Sequence, residues 1–221
     1  MNEIALLLAA TLHAGTPLAL ACLGLLINER AGVLNLGAEG MMLVAAVAGF
    51  AIAFHTGSDT LAFLGAAGVG ALIAALFGVL IIWLGTNQYA TGLALSLFGA
   101  GLSAFVGVAY VGKKLEDRTD YPVPFFSDLP FVGTAVFRQH PMVYVTVILT
   151  VLVAWWLFRT RSGLVIRSVG ESPESAHALG YRVRWLRLCC MAVGGALCGV
   201  AGVYLSVVYA PLWVEGMVAG R

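Results

Sequence analysis

The sequence predicts an all-α fold, a polytopic transmembrane bundle of about six spans forming a single domain over 1–221. Three observations carry this expectation. Apolar residues make up 61% of the chain, charged residues only 10%, and the mean hydropathy is +0.95. A soluble domain of this size needs far more polar surface, so the bilayer is the expected solvent. Apolar stretches also recur at lengths near the roughly 20 residues that a helix needs to cross a hydrocarbon core about 30 Å thick. Finally, there are 27 glycines, as suits helices packing closely in lipid, where small residues let backbones approach.

Six stretches are long enough, or nearly so: 4–27, 40–56, 61–84, 88–110, 141–158 and 188–210. The first contains Leu18-Ala19-Leu20-Ala21-Cys22, a faint likeness to a lipoprotein cleavage site. Glu3 stands where a secretory signal carries Lys or Arg, so 4–27 is read as a retained span. His13, Thr16 and Pro17 mark a kink within it, either locally satisfied or lining a polar path. The connections at 57–60 and 85–87 are short, so the spans they join run antiparallel. In the last span, Gly195 and Gly199 form a G-x-x-x-G, followed by Gly202 on nearly the same face.

Two hydrophilic segments are longer. Residues 111–140 mix Lys113, Lys114, Glu116, Asp117, Arg118 and Asp120 with Pro122, Pro124 and Pro130. Residues 159–187 carry six arginines: Arg159, Arg161, Arg167, Arg182, Arg184 and Arg187. Lys and Arg collect on the cytoplasmic side. The arginine-rich loop is therefore expected inside, and 111–140 and the N-terminus outside.

Several chemistries find little support. A net charge of +1 gives no electrostatic case for nucleic acid. Cys22, Cys189, Cys190 and Cys198 lie in apolar runs without metal-ligand or redox spacing. No metal site or cofactor is expected. Gly107 to Lys113 matches G-x-x-x-x-G-K, but Lys114 stands where a phosphate-binding loop needs Ser or Thr for magnesium. Paired carboxylates and nucleophile–base spacings are not found, so the chain reads as a non-enzyme whose energy comes from a partner.

Residues 28–42 are unusual: Asn28, Glu29, Arg30, Gly32, Asn35, Gly37, Glu39 and Gly40 crowd between two spans. One reading is a solvated polar turn. The other is a broken or re-entrant helix, with Gly32, Gly37 and Gly40 unwinding the backbone and Asn35 satisfying freed amides or facing a solute path. Asn87, Gln88 and Thr91 open span four, where they either cap the helix or line that same path.

Within the arginine-rich loop, Gly170-Glu171-Ser172-Pro173-Glu174-Ser175-Ala176-His177-Ala178-Leu179-Gly180 reads as a short capped helix. Ser172 suits the N-cap, Pro173 the first position, Glu174 the dipole and Gly180 the stop. Ala176 and Leu179 are expected to share a small apolar face. Two turns of helix do not persist alone in water, so this one docks on its own bundle or on a partner.

These two stretches together carry a resemblance. Asn28 to Gly37 with Glu39-Gly40-Met41-Met42 resembles the signature of the nucleoside and simple-sugar permease branch of bacterial ABC importers, a branch related to ribose-type and branched-chain amino-acid permeases. Glu174-Ser175-Ala176-x-x-x-Gly180 is similar to the Glu-Ala-Ala-x-x-x-Gly loop of such permeases, with Ser175 replacing the middle Ala. The resemblance implies a multi-pass subunit of the bacterial cytoplasmic (inner) membrane that moves nucleosides, purines or simple sugars. It implies coupling to cytoplasmic ATP-binding subunits through Glu171 to Gly180, pairing with a second permease subunit, and docking of an extracytoplasmic solute-binding protein on 111–140. It also implies further helices after Arg221, so the chain is expected to be a truncated, fragmentary or shortened member. The rival reading is an ion-gradient-driven secondary transporter. That class needs ionisable groups within its spans, and Glu39 is the one plausible candidate.

Overall fold

The computed structural model describes residues 2–115 and 139–218. Most of the expected outer loop, 116–138, therefore lies outside the described residues, and with it the proline-rich stretch. Among the described residues the chain is helical, with one isolated antiparallel bridge between Lys114 and Leu212.

Six helices are long and apolar enough to span a bilayer. They are α1 (Asn2–Arg30), α2 (Ala38–Thr56), α3 (Asp59–Ile82), α4 (Gln88–Gly107), α5 (Pro141–Arg159) and α8 (Val183–Val203). The last continues into a buried π-helical turn, Tyr204–Tyr209. Between α5 and α8 lie α6 (Arg161–Glu171) and α7 (Pro173–Ala178). Five of the spans begin and end within a few residues of where hydropathy places them. The sixth starts at Val183 rather than 188, because Arg184 and Arg187 belong to its first turns and mask the start.

Helix ends follow local chemistry. Ser58 accepts from the Leu61 amide to begin α3, and Gly57, at φ 66°, closes α2 with a bond to the Ala53 carbonyl. Pro17 sits inside a continuous α1, where the Thr16 hydroxyl donates to the Leu12 carbonyl at 2.8 Å.

α8 and α2 form the centre. α8 packs most extensively against α3 and also against α1 and α2. Its glycines are the means. A Cβ on Gly194 would meet the Gly24 carbonyl of α1, and one on Gly199 the Ala66 carbonyl of α3. One on Gly202 would meet the Met42 carbonyl of α2. The expected common face is thus divided: Gly195 and Gly199 serve α3, while Gly202 serves α2. Serine hydroxyls add cross-helix bonds to α2 and its approach, from Ser96 to the Leu36 carbonyl, Ser103 to Leu43 and Ser206 to Ala46, at 2.9–3.0 Å. Such bonds hold helices together where lipid removes the hydrophobic drive.

Candidate functional site at the arginine-rich end

The two signature stretches and the start of α4 meet at one end of the bundle. α1 terminates in a Schellman motif: the Val33 amide reaches the Asn28 carbonyl at 3.0 Å and the Gly32 amide reaches Glu29 at 2.9 Å. Gly32, at φ 80°, occupies the left-handed position such a motif needs. Residues 31–37 then run without helix to Ala38. They lie along α4, with the Leu34 amide donating to Gln88 Oε1 at 2.9 Å and Gly37 pressed against Leu95. Leu95 is seven residues into α4, so this stretch enters the bundle by about 10 Å at 1.5 Å per residue.

The broken-helix expectation is therefore right in part. Gly32 bends the backbone, and Asn35 satisfies a freed amide, its Oδ1 accepting from Gly37 at 3.1 Å. Gly40 does not unwind anything. It lies within α2 and allows the crossing with α4, where a Cβ on Gly99 would strike the Gly40 backbone. Asn35 is buried, with its Nδ2 3.6 Å from Met41 Sδ, whereas Glu39 is exposed in the first turn of α2.

At α4, Asn87 Oδ1 accepts from the Tyr89 and Ala90 amides and so caps the helix. Thr91 bonds Thr86 Oγ1 at 3.0 Å. Gln88 instead bridges to the 31–37 stretch and lines a cleft of about 810 Å³ together with Val33, Glu174, His177, Arg184 and Arg187. A neighbouring hollow of about 520 Å³ has Glu29 and Gly32 on one side and Asn87 and Gln88 on the other. Asn28, Glu29, Arg30, Asn87 and Gln88 thus gather at the end that holds Glu171 to Gly180. Asn35 and Thr91 do not line these clefts.

α7 forms as its residues dictate. Ser172 Oγ caps the Ser175 amide at 3.4 Å and donates to Ser175 Oγ at 2.7 Å, and Pro173 takes the first position. Gly180, at φ 89°, closes a second Schellman motif, with Tyr181 bonding the Ala176 carbonyl and Gly180 bonding His177. The shared apolar face expected of Ala176 and Leu179 is corrected. Ala176 is 1% exposed and anchors the helix to its own chain, while Leu179 is 77% exposed. Leu179 is the cap residue, where the chain leaves the helix, so the spacing of three no longer places the pair together. Glu174, Ser175 and His177 also face outward.

Sequence reasoning missed α6. Thr160 caps it at the Gly163 amide, and Gly163, Ile166 and Val169 are buried. That three-residue period was legible, although six arginines nearby made the segment read as loop. Arg30 and Arg167 both stack on Phe158, at 5.8 and 5.4 Å, tying α1, α5 and α6 together. Trp83 meets Trp185 edge-on at 5.6 Å, joining the ends of α3 and α8. Arg187 was also missed as a structural residue. Its Nε donates to the Ala31 carbonyl at 3.1 Å and its Nη2 to Val169 at 3.4 Å.

The described residues hold no cluster of His, Cys, Asp or Glu able to bind a metal. This end offers an exposed capped helix, two open clefts and a rigid arginine-braced base. That arrangement suits docking and movement.

Comparison with known proteins gives concordant matches. Residues 7–220 match the family described as branched-chain amino acid transport system / permease component. A putative glucose ABC transporter permease protein of Haloferax volcanii is 41% identical over 100% of this chain and 68% of its own length. A nucleoside ABC transporter permease protein of Lactococcus lactis subsp. cremoris is 32% identical, covering 91% of this chain and 67% of that protein. A guanosine ABC transporter permease protein of Bacillus subtilis is 31% identical, covering 93% and 68%. The chain thus spans about two thirds of the length of each. No solved structure matches.

Proposed function

The chain belongs to the branched-chain amino acid transport system / permease component family, and from that premise we propose that it is the membrane-spanning subunit of an ATP-driven importer for nucleosides or simple sugars. It is a multi-pass membrane protein, in our reading of the bacterial cytoplasmic membrane with the α6–α7 end inside. The solute crosses by alternating access and leaves chemically unchanged. Cytoplasmic ATP-binding subunits, a second permease subunit and an extracytoplasmic solute-binding protein complete the assembly.

The observation that carries this reading is α7. Its Ala176 anchors it, and its Glu174, Ser175, His177 and Leu179 remain outside. A partner gripping these side chains would move a helix braced on the bundle, which is what nucleotide-driven coupling requires. Glu171, Ser172, Pro173, Glu174, Ala176, Leu179 and Gly180 are assigned to this coupling. Asn87 and Gln88 are assigned to the inner mouth of the pathway; Asn35, Glu39 and Thr91 support its walls.

The test is copurification with the ATP-binding subunit and ATP-dependent uptake in vesicles. Glu174→Lys should abolish both while leaving the permease folded. Uptake that persists without the ATP-binding subunits and collapses with the proton gradient would instead establish the secondary-transporter reading. The relatives are named as a putative glucose, a nucleoside and a guanosine ABC transporter permease protein. Direct binding of nucleosides and of hexoses to the solute-binding protein decides between the two classes.

A further inference from the structure

Arg187 occupies a position that neither the family match nor the coupling helix explains. It lies in the second turn of α8, half-buried, and its fork reaches two carbonyls that are 138 residues apart in sequence (169 − 31 = 138). Both acceptors lack their usual donors for identifiable reasons. Ala31 is the residue where α1 gives way to the Gly32 turn, so its carbonyl is beyond the helical ladder. Val169 is four residues before Pro173, and the amide that would close its helical bond has no hydrogen. One planar guanidinium satisfies both.

The surrounding packing leaves no slack. A Cβ on Gly32 would come within 2.9 Å of Arg187 Nη2 and 3.0 Å of the Gly170 Cα. A Cβ on Gly170 would strike the Arg30 carbonyl. Ala31 and Val169 are both buried. The ends of α1 and α6 therefore meet at backbone contact, and the first turns of α8 reach both through the Arg187 side chain. α7 hangs between two of these three, starting two residues after Glu171 and ending five before Val183.

We infer that Arg187 is the positioning residue of power transmission: it makes the base of α7 and the α1–α2 turn move as one body. Displacement of α7 by a partner is carried directly to residues 31–37, of which Gly32, Val33 and Leu34 line the inner clefts and Leu34 and Gly37 touch α4. A lysine at 187 keeps the charge but has a single compact donor group and cannot bridge both carbonyls in the same geometry. This inference rests on the importer reading above.

The experiment uses the assembled importer in proteoliposomes and reads solute moved per ATP hydrolysed. Arg187→Lys should retain the ATP-binding subunits and basal ATP hydrolysis while that ratio falls about five-fold, within the range by which residues along a coupling network act. An unchanged ratio in a variant that assembles overturns the inference, whereas a wild-type protein showing no ATP-driven uptake overturns the importer reading instead. A structural readout accompanies it, with spin labels at Leu26→Cys and His177→Cys after replacement of the four native cysteines. In the wild type this distance should stay constant between nucleotide-free and nucleotide-bound states. In Arg187→Lys it should broaden and shift, and an unaltered distribution counts against the inference. Should Arg187→Lys fail to insert, Arg187→Met keeps the stem, removes every donor and must give the same loss of ratio and the same broadening.

Discussion

α2 and α5 are both 19-residue spans, and they make opposite use of the same solvent. α5 is the more apolar of the two, yet 22% of its apolar window is buried inside the protein, against 67% for α2. In water the greasier helix would be the inner one. In lipid the outside is as apolar as the inside, so hydrophobicity no longer sorts helices. Shape and backbone polarity sort them instead. α2 reads Ala-Glu-Gly-Met-Met-Leu-Val-Ala-Ala-Val-Ala-Gly, and its small residues admit α4 and α8 to backbone contact. α5 has no glycine, and it turns Val147, Ile148, Val151, Leu152 and Trp155 outward.

The contrast can be broken most forcefully at the helix crossings. Gly202→Leu would drive a side chain into the Met42 carbonyl, and Gly99→Leu one into the Gly40 backbone. Each should cost more than about 3 kcal/mol, beyond ordinary overpacking, and appear as loss of monodisperse protein in detergent. On α5, Val151→Leu at a 65% exposed site should stay within about 0.5 kcal/mol. Equal melting of the two kinds of variant would mean that α2 is not central.

A smaller effect of opposite sign is expected at Asn28. Its side chain is fully buried against Gly194, and its Nδ2 and Oδ1 have no hydrogen-bond partner among the described residues. Asn28→Leu should raise thermal stability by about 1–2 kcal/mol, since a buried unmade hydrogen bond costs that much. A fall in stability would show that the amide has a polar partner in the folded protein.

Serine hydroxyls offer a finer comparison. Ser103→Ala removes a bond across helices to the Leu43 carbonyl, and about 0.6 kcal/mol should be lost. Thr150→Ala removes a bond within α5 to the Thr146 carbonyl and should be near neutral, as chemical denaturation in micelles would read out.

A pH-dependent effect is expected at the N-terminal end of α5. His140 Nδ1 accepts from the Met142 amide at 3.2 Å, capping the helix. Burial pushes its pKa down from 6.5 to about 4, with Asp59 opposing and His13 reinforcing the shift. The folded protein keeps this ring neutral while the unfolded chain protonates it. Stability is thus complete above pH 6.5 and declines as pH falls from 6.5 towards 4. A melting temperature that drops over that window in the wild type but not in His140→Asn is the expected result.

Much of the architecture was legible because span detection needs only length and polarity. Five span starts and the caps at Ser172 and Gly180 follow from side-chain chemistry that acts within a few residues. α6 and the first turns of α8 escaped, because arginines that cover helix surfaces look like loop to a hydropathy reading. The divided pair Ala176 and Leu179 escaped because a helix of six residues ends before its period repeats. Arg187 carried no sequence signal. Its partners are backbone carbonyls, and one of them is orphaned by a proline fourteen residues upstream of Arg187 (187 − 173 = 14).

The sequence by itself determined that this chain lives in a membrane, where its spans fall, how its short helix is capped and which transporter family it resembles. Those properties depend on composition and on neighbours a few residues apart. Tertiary structure alone decided which span is central, which glycines touch which helix, that residues 31–37 enter the bundle and that one guanidinium joins α1, α6 and α8. Each of these depends on a backbone group meeting a residue distant in sequence. In a solvent as apolar as the protein interior, hydropathy carries no information about such contacts.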